Sequence, residues 1–273
     1  MLISIIVTAR NEERNIGHLL DGLVNQEQPI EIVVVDAGST DSTRDIVREY
    51  MSRYGFIRLL EKAGTRGRSR NYAVERSEGE AVAFIDADCI ANPFWIRRMR
   101  TSLGDWEVVA GKTINIGYQP FEDLERVELI YRGFDITFPS NNLAYRRSLF
   151  NKIGGFDDWF VTAEDIDLNL RAVEAGARIY HEEEAIVYHR TRPTFYRFYE
   201  QAFWNGAGRK QLTLKHGGLW RNYRPFEMFK REANLWSLTR LVVALLGYAG
   251  YKFFGRREST QNQVQSDSMH PAG

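Results

Sequence analysis

Two aspartates one residue apart, Asp86 and Asp88, close an apolar run, Ala81-Val82-Ala83-Phe84-Ile85. An unpaired charge is costly to desolvate, so these carboxylates cannot follow the run into a core. They must sit at the mouth of a strand, the edge where open α/β sheets bind ligands. There they could hold a hard divalent cation and, through it, a diphosphate. The same residues also allow a plain strand-to-helix turn in which Asp88 or Asn92 caps a helix beginning near Pro93. Asp36 follows a buried-looking Val33-Val34-Val35 run, and its carboxylate stands where a base or ribose could hydrogen-bond. Gly38 permits a tight turn next to it, and Asp41 reads as a helix cap. Gly64-Thr65-Arg66-Gly67-Arg68-Ser69-Arg70-Asn71 sets three arginines around a glycine at a helix start. That arrangement suits a phosphate or, equally, a solvated basic face, and it lacks the P-loop spacing. Glu164, Asp165 and Asp167 open an amphipathic segment, where the helix macrodipole alone would favour acids.

The elements that must position these groups alternate. Residues 2–8 form a β-branched strand, and helical spacing then runs from Asn11 to Asn25 through Ile16, Leu19, Leu20 and Leu23. The pattern repeats with strand Glu31–Val35 and helix Asp41–Tyr54, strand Ile57–Leu60 and helix Arg66–Arg76, and strand Ala81–Ile85 and helix Pro93–Leu103. Short links between them predict right-handed crossovers and a mainly parallel sheet flanked by helices, with all four strand mouths on one side. Thr8, Arg10 and Glu12 end the first strand at that side. After residue 104 the alternation breaks. Strands are predicted at Glu107–Ile116, Asn142–Tyr145, Arg178–Tyr180 and Ala185–His189, with Glu182-Glu183-Glu184 separating the last two. Helices are predicted at 119–132, Ser148–Ile153 and Thr162–Ala175.

The 273 residues carry no formal net charge, but the balance is uneven. Residues 1–184 hold 22 Lys+Arg against 31 Asp+Glu, whereas 185–257 hold 14 against 3. The basic part is crowded with aromatics, as in Phe195-Tyr196-Arg197-Phe198-Tyr199, and reads as two helices, Thr194–Leu214 and Pro225–Phe254. An acidic main body without a recognition module argues against nucleic acid, while an aromatic, basic helix suits a membrane interface or a packed helical appendage. Residues 235–254 are long enough to span a bilayer, but Arg240 and Lys252 interrupt them, so a monotopic helix is favoured over a span. Residues 258–273 are polar and predicted to be disordered. Cys89 is the single cysteine, which excludes an intrachain disulfide and multi-thiolate zinc, and points to a reducing cytoplasmic compartment. The strand-like start, with no basic region ahead of it, is not that of a signal peptide.

In their order along the chain, Ser4-Ile5-Ile6-Val7-Thr8-Ala9-Arg10-Asn11-Glu12-Glu13, Val35-Asp36-Ala37-Gly38-Ser39-Thr40-Asp41, Arg70-Asn71, Phe84-Ile85-Asp86-Ala87-Asp88, Gly155-Phe156-Asp157 and Glu164-Asp165 resemble the signature of family 2 glycosyltransferases. The resemblance covers about residues 1–190 and implies an inverting enzyme of the Rossmann-like GT-A fold, using a UDP- or GDP-sugar donor and a divalent cation, Mg2+ or Mn2+. It implies Asp36 at the nucleobase, Arg70 near the base or phosphates, Asp86 at ribose or metal, and Asp88 on the metal. Asp165 would be the base that takes the acceptor's proton, and Glu164 would position it. His189 falls where some metal-dependent members of the fold supply a histidine ligand, followed by Arg190 and Arg192 as weaker phosphate candidates; His181 and His216 read as structural. The family often has two consecutive acids where this chain has Asp36-Ala37, which bears on nucleotide preference. The expectation is a nucleotide-sugar domain over 1–190, a membrane-attachment region over 191–257 and a tail over 258–273. Thr8, Arg10, Glu12, Asp36, Gly38, Arg66, Arg70 and Asp86 would serve the donor, and a lipid-linked or glycan acceptor would be met at the cytoplasmic face of a membrane. A nucleotidyltransferase of similar fold and a non-catalytic nucleotide-sugar-binding protein are the competing readings.

Overall fold

The computed structural model describes residues 1–117, 128–191, 194–217, 219 and 236–251. The expectations for 119–127, Arg192, Lys252 and the 258–273 tail lie outside them. Two compact units are present. The first comprises Met1–Trp159 and Glu164–Thr191; the second joins Phe160–Ala163 to the described residues beyond 192.

In the first unit, strands β1 (Ile3–Ala9), β2 (Ile30–Asp36), β3 (Ile57–Glu61) and β4 (Ala81–Asp86) alternate with helices α1 (Ile16–Val24), α2 (Thr43–Arg53) and α3 (Arg66–Glu75). The continuous apolar runs of β1, β2 and β4 are buried along nearly their whole length, as strands covered on both faces must be. Ile16, Leu19, Leu20 and Leu23 form the buried stripe of α1, each worth about 1.5–3 kcal/mol on leaving water. The helices start later than their periodicity suggests where the turn chemistry intervenes. Asn11 has φ of 56° and Ala163 has φ of 66°, so neither can join the helix that follows.

The sheet is mainly parallel, as expected, with two of its eight strands running the other way. Its order is β3-β2-β1-β4-β9-β6-β10-β5, where β5 is Cys89–Ala91, β6 is Val108–Ile116, β9 is Leu143–Arg146 and β10 is Ile179–Arg190. The β3-β2-β1-β4 half is parallel, but β9 runs antiparallel to both β4 and β6, and β5 runs antiparallel to β10. The break follows helix α4 (Trp95–Ser102), beyond which the strand-helix rhythm stops. A small hairpin of β7 (Ile130–Tyr131) and β8 (Phe134–Asp135) replaces the end of the helix expected over 119–132. The two strands expected around the glutamate cluster are one strand, β10, with an irregularity between Glu182 and Ile186. Ala185 and Val187 point inward there, while Glu182 accepts a hydrogen bond from the Ser102 hydroxyl at 2.6 Å.

Helices α5 (Arg147–Lys152) and α6 (Glu164–Glu174) complete the first unit. Phe84, Tyr145, Phe150 and Phe156 pack tilted or edge to face beneath them, with ring centroids 5.1–6.1 Å apart.

The second unit contains α7 (Phe195–His216) and α8, residues 236–251. A Cβ added at Gly206 would stand 1.8 Å from the Ala244 carbonyl oxygen, and one at Gly247 would stand 1.9 Å from that of Phe203. The two helices thus meet backbone to backbone where glycine alone fits. Thr239 accepts from the Tyr199 hydroxyl at 3.0 Å, and Phe195 stacks on Trp236 at 5.2 Å.

Candidate active site

Parallel register brings the strand mouths together: Thr8 lies opposite Asp86, and Ala9 opposite Asp36. The loops bearing Arg10, Glu12 and Gly38 leave the same edge and are tied to one another. Asn11 donates its amide to the Ser39 hydroxyl at 2.9 Å and accepts from the Thr40 amide at 2.8 Å, while the Glu12 amide donates to Thr43 Oγ1 at 2.8 Å. Asp36 organises its own turn. Its Oδ1 accepts from the Gly38 and Ser39 amides at 3.1 and 2.9 Å, and its Oδ2 accepts from the Ser39 hydroxyl. The carboxylate is 1% exposed, and Gly38 adopts φ of 89°, so the turn needs both residues as they are. Arg10 and Arg66 are exposed at this edge.

Arg70 occupies the centre of the site. Its guanidinium is 1% exposed, donates from Nη1 to Glu164 Oε1 at 2.8 Å and from Nη2 to Asp86 Oδ1 at 2.7 Å, and lies 5.4 Å from the Phe156 ring. It therefore couples the end of β4 to the start of α6, which are far apart in sequence. Burial works against ionisation of Asp86, but Arg70 outweighs it with help from Arg66 and His189, and the carboxyl is held below the usual carboxylate range.

The three acids of α6 have separate partners. Asp167 is fully buried and paired with Arg171 at 2.8 Å, and Arg171 also donates to the carbonyls of Ile153 and Gly155. Glu164 is held by Arg70. Asp165 has no ion pair among the described residues. Its oxygens accept from the Ser140 amide at 3.2 Å and from the Ile166 amide at 2.9 Å. Burial first, then the neighbouring Glu164, push its carboxyl up to about 6, against the opposing effect of Arg70 and those two amides. Ser140 belongs to a 3-10 turn, Ser140–Asn142. Asn142 fixes that turn by accepting from Trp95 Nε1 at 2.8 Å and donating to the carbonyls of Lys112 and Ala185 at 3.0 and 2.9 Å. Sequence reasoning missed this turn; the Asn141-Asn142 pair ahead of a strand was its one signal.

Asp88 and His189 face each other, with 3.7 Å between Oδ2 and Nε2. Asn115, also missed from sequence, lies 3.2 Å from His189 Nδ1 through its side-chain oxygen. With Nδ1 donating to that oxygen, Nε2 is left as an acceptor turned toward a carboxylate. Two facing acceptors suit a divalent cation whose remaining positions are filled by water and substrate phosphate. Asp86 does not complete a three-donor cage with them: no cluster of three or more His, Cys, Asp or Glu arranged for a metal exists among the described residues, and Asp86 turns to Arg70. The residue after His189, Arg190, holds a buried Nη1 with no hydrogen-bond partner, a donor that an anionic ligand would satisfy. Cys89 takes no part; burial pushes its thiol up, away from the reactive thiolate.

The mainly parallel sheet, opening at one edge on a turn-bound aspartate and a buried arginine bridge, is that of a GT-A-like α/β fold. Residues 4–163 match the model of Glycosyl transferase family 2, and 127–250 match Glycosyl transferase family group 2. The chain belongs to glycosyltransferase family 2 and is a glycosyltransferase. The competing nucleotidyltransferase and non-catalytic readings give way to that assignment. Glycosyltransferase AglE of Haloferax volcanii is 26% identical over 228 residues, covering 78% of this chain and 74% of AglE. The chain spans 56%, just over half, of another relative, YdaM of Bacillus subtilis, at 29% identity over 78% of this chain. Among solved structures, residues 1–349 of Staphylococcus aureus TarS with UDP-GlcNAc superpose with a TM-score of 0.63 at 23% identity, covering 92% of this chain and 81% of that one. The mannosyltransferase PcManGT of Pyrobaculum calidifontis, with GDP-Man and Mn2+, gives 0.65 at 21% identity, covering 97% and 80%. At these identities the structural likeness is one of fold.

Proposed function

We propose that the protein is an inverting transferase that passes a sugar from a UDP- or GDP-linked donor to a hydroxyl or phosphate of a lipid-linked or glycan acceptor, at the cytoplasmic face of a membrane, in a cation-assisted single displacement. The observation that carries this reading is Asp165. It is the one acid of the α6 cluster without an ion pair among the described residues, and its carboxyl is raised to about 6, where a general base works well at neutral pH. Asp165 takes the proton of the acceptor hydroxyl as that oxygen attacks the anomeric carbon. The bond from that carbon to the donor phosphate breaks on the opposite face, and the nucleoside diphosphate leaves with the electron pair. Glu164, fixed by Arg70, keeps the start of α6 in register with Asp86 at the donor side. Asp88 and His189 would hold Mg2+ or Mn2+, which when bound neutralises charge on the departing diphosphate. The UDP-GlcNAc bound by TarS and the GDP-Man and Mn2+ bound by PcManGT support these donor and cation classes. The acceptor and membrane assignments draw on the basic, aromatic 185–257 segment.

The test measures nucleoside diphosphate release from UDP- and GDP-sugars. With Asp165→Asn, turnover should fall by about 10²–10⁴ while donor binding, read as a thermal shift, is retained. Unchanged turnover would remove Asp165 from the mechanism, and retention of anomeric configuration in the product would remove the single displacement.

A further inference from the structure

Helix α8 presents one apolar stripe to the outside. Leu238, Leu241 and Leu245 recur at spacings of three and four, Val242 and Leu246 at a spacing of four, and all five are 41–61% exposed. The opposite side of the helix is the one that packs on α7, through Thr239, Gly247 and Tyr248, whose ring lies 4.8 Å from Lys210 Nζ. At the start of α8 the rings of Phe195 and Trp236 stack, and Tyr196 beside them is 74% exposed. Five large aliphatic side chains open to water on one helix face mark a surface that something covers.

Charge decides what that is. The surrounding 185–257 segment holds 14 Lys+Arg against 3 Asp+Glu, which is complementary to an anionic surface. None of the described helices is long and apolar enough to cross a membrane. An aliphatic stripe, aromatic rings at one end and a basic setting together describe a helix lying along a bilayer. We propose that α8 lies in the plane of an anionic membrane, with Leu238, Leu241, Val242, Leu245 and Leu246 immersed among acyl chains and the basic residues of the segment meeting lipid phosphate. This deepens the membrane-surface part of the proposed function and rests on it, not on the transfer chemistry.

The experiment is co-sedimentation of the full chain with phosphatidylcholine vesicles, with and without phosphatidylglycerol, needing no sugar donor. Binding to the anionic vesicles should weaken with salt and fall by about tenfold or more in the double variant Leu241→Glu, Leu245→Glu. Circular dichroism and the donor-induced thermal shift of that variant should match the wild type, which separates loss of the membrane contact from loss of the fold or of donor binding. The proposal is overturned if the wild type ignores anionic vesicles or if the double variant binds them equally well. It is also overturned if light scattering shows a wild-type dimer that the double variant dissociates, since the stripe would then serve a second copy of the chain.

Discussion

At the scale of single residues, Asp165 and Arg70 carry the consequences. Asp165 has its carboxyl raised from 3.8 to about 6, so the base is unprotonated and competent only above that value. Turnover should rise tenfold per pH unit below about 6 and level off above it, a profile that a pH series of initial rates checks. The sign for stability is opposite. A carboxyl that is harder to ionise in the fold than in the unfolded chain stabilises the protonated protein, and that benefit is lost as pH rises through the folded value. Asp165→Asn should therefore raise stability by roughly 1–3 kcal/mol at pH 7 and by little near pH 4, measured by urea unfolding at both. Arg70 is different: its removal strands the buried Glu164 carboxylate and the half-buried one of Asp86. Arg70→Ala should cost about 3–5 kcal/mol, and Arg70→Lys should rescue little, because a single ammonium cannot reach Asp86 and Glu164 from the two ends of one planar group.

At the scale of elements, two joints hold the site. The β1 and β2 loops are locked through Asn11, Ser39 and Thr43, and the Ser140–Asn142 turn presents an amide to Asp165. The second unit has a joint of its own, the α7–α8 crossing at Gly206 and Gly247. Gly206→Val would drive a side chain into the Ala244 carbonyl, so it should cost about 1–3 kcal/mol and speed amide exchange over 236–251. Amide protection in that segment equal to the wild type would show that the helices do not meet there. Asn142→Ala should lower turnover in the diphosphate-release assay, because the turn it fixes presents the Ser140 amide to Asp165.

At the scale of the whole molecule, the proposed function makes donor and cation act together. Chelation should abolish diphosphate release and Mn2+ or Mg2+ should restore it, whereas Asp88→Ala and His189→Ala should each raise the cation concentration needed. Titrating Mn2+ into the three proteins measures this; an unchanged requirement in both variants would move the cation elsewhere.

The sequence by itself determined the parallel half of the sheet, the single edge on which its strand mouths open, and the candidate residues there. Continuous apolar runs ending in polar turns leave a buried strand little choice about where its charges go. It also marked the family, through motifs whose order survives where individual identities drift. Only the tertiary structure decided how those residues divide their work. Asp86, Asp88, Glu164, Asp165 and Asp167 are interchangeable as letters, and what separates them is partners: Arg70 between two of them, Arg171 on the third, His189 facing the fourth, and backbone amides alone for Asp165. Local patterning carries no record of such contacts between distant residues. For the same reason β5, the antiparallel direction of the expected strand β9, the Ser140–Asn142 turn and the role of Asn115 were invisible: each depends on a strand or side chain from elsewhere in the chain that meets it.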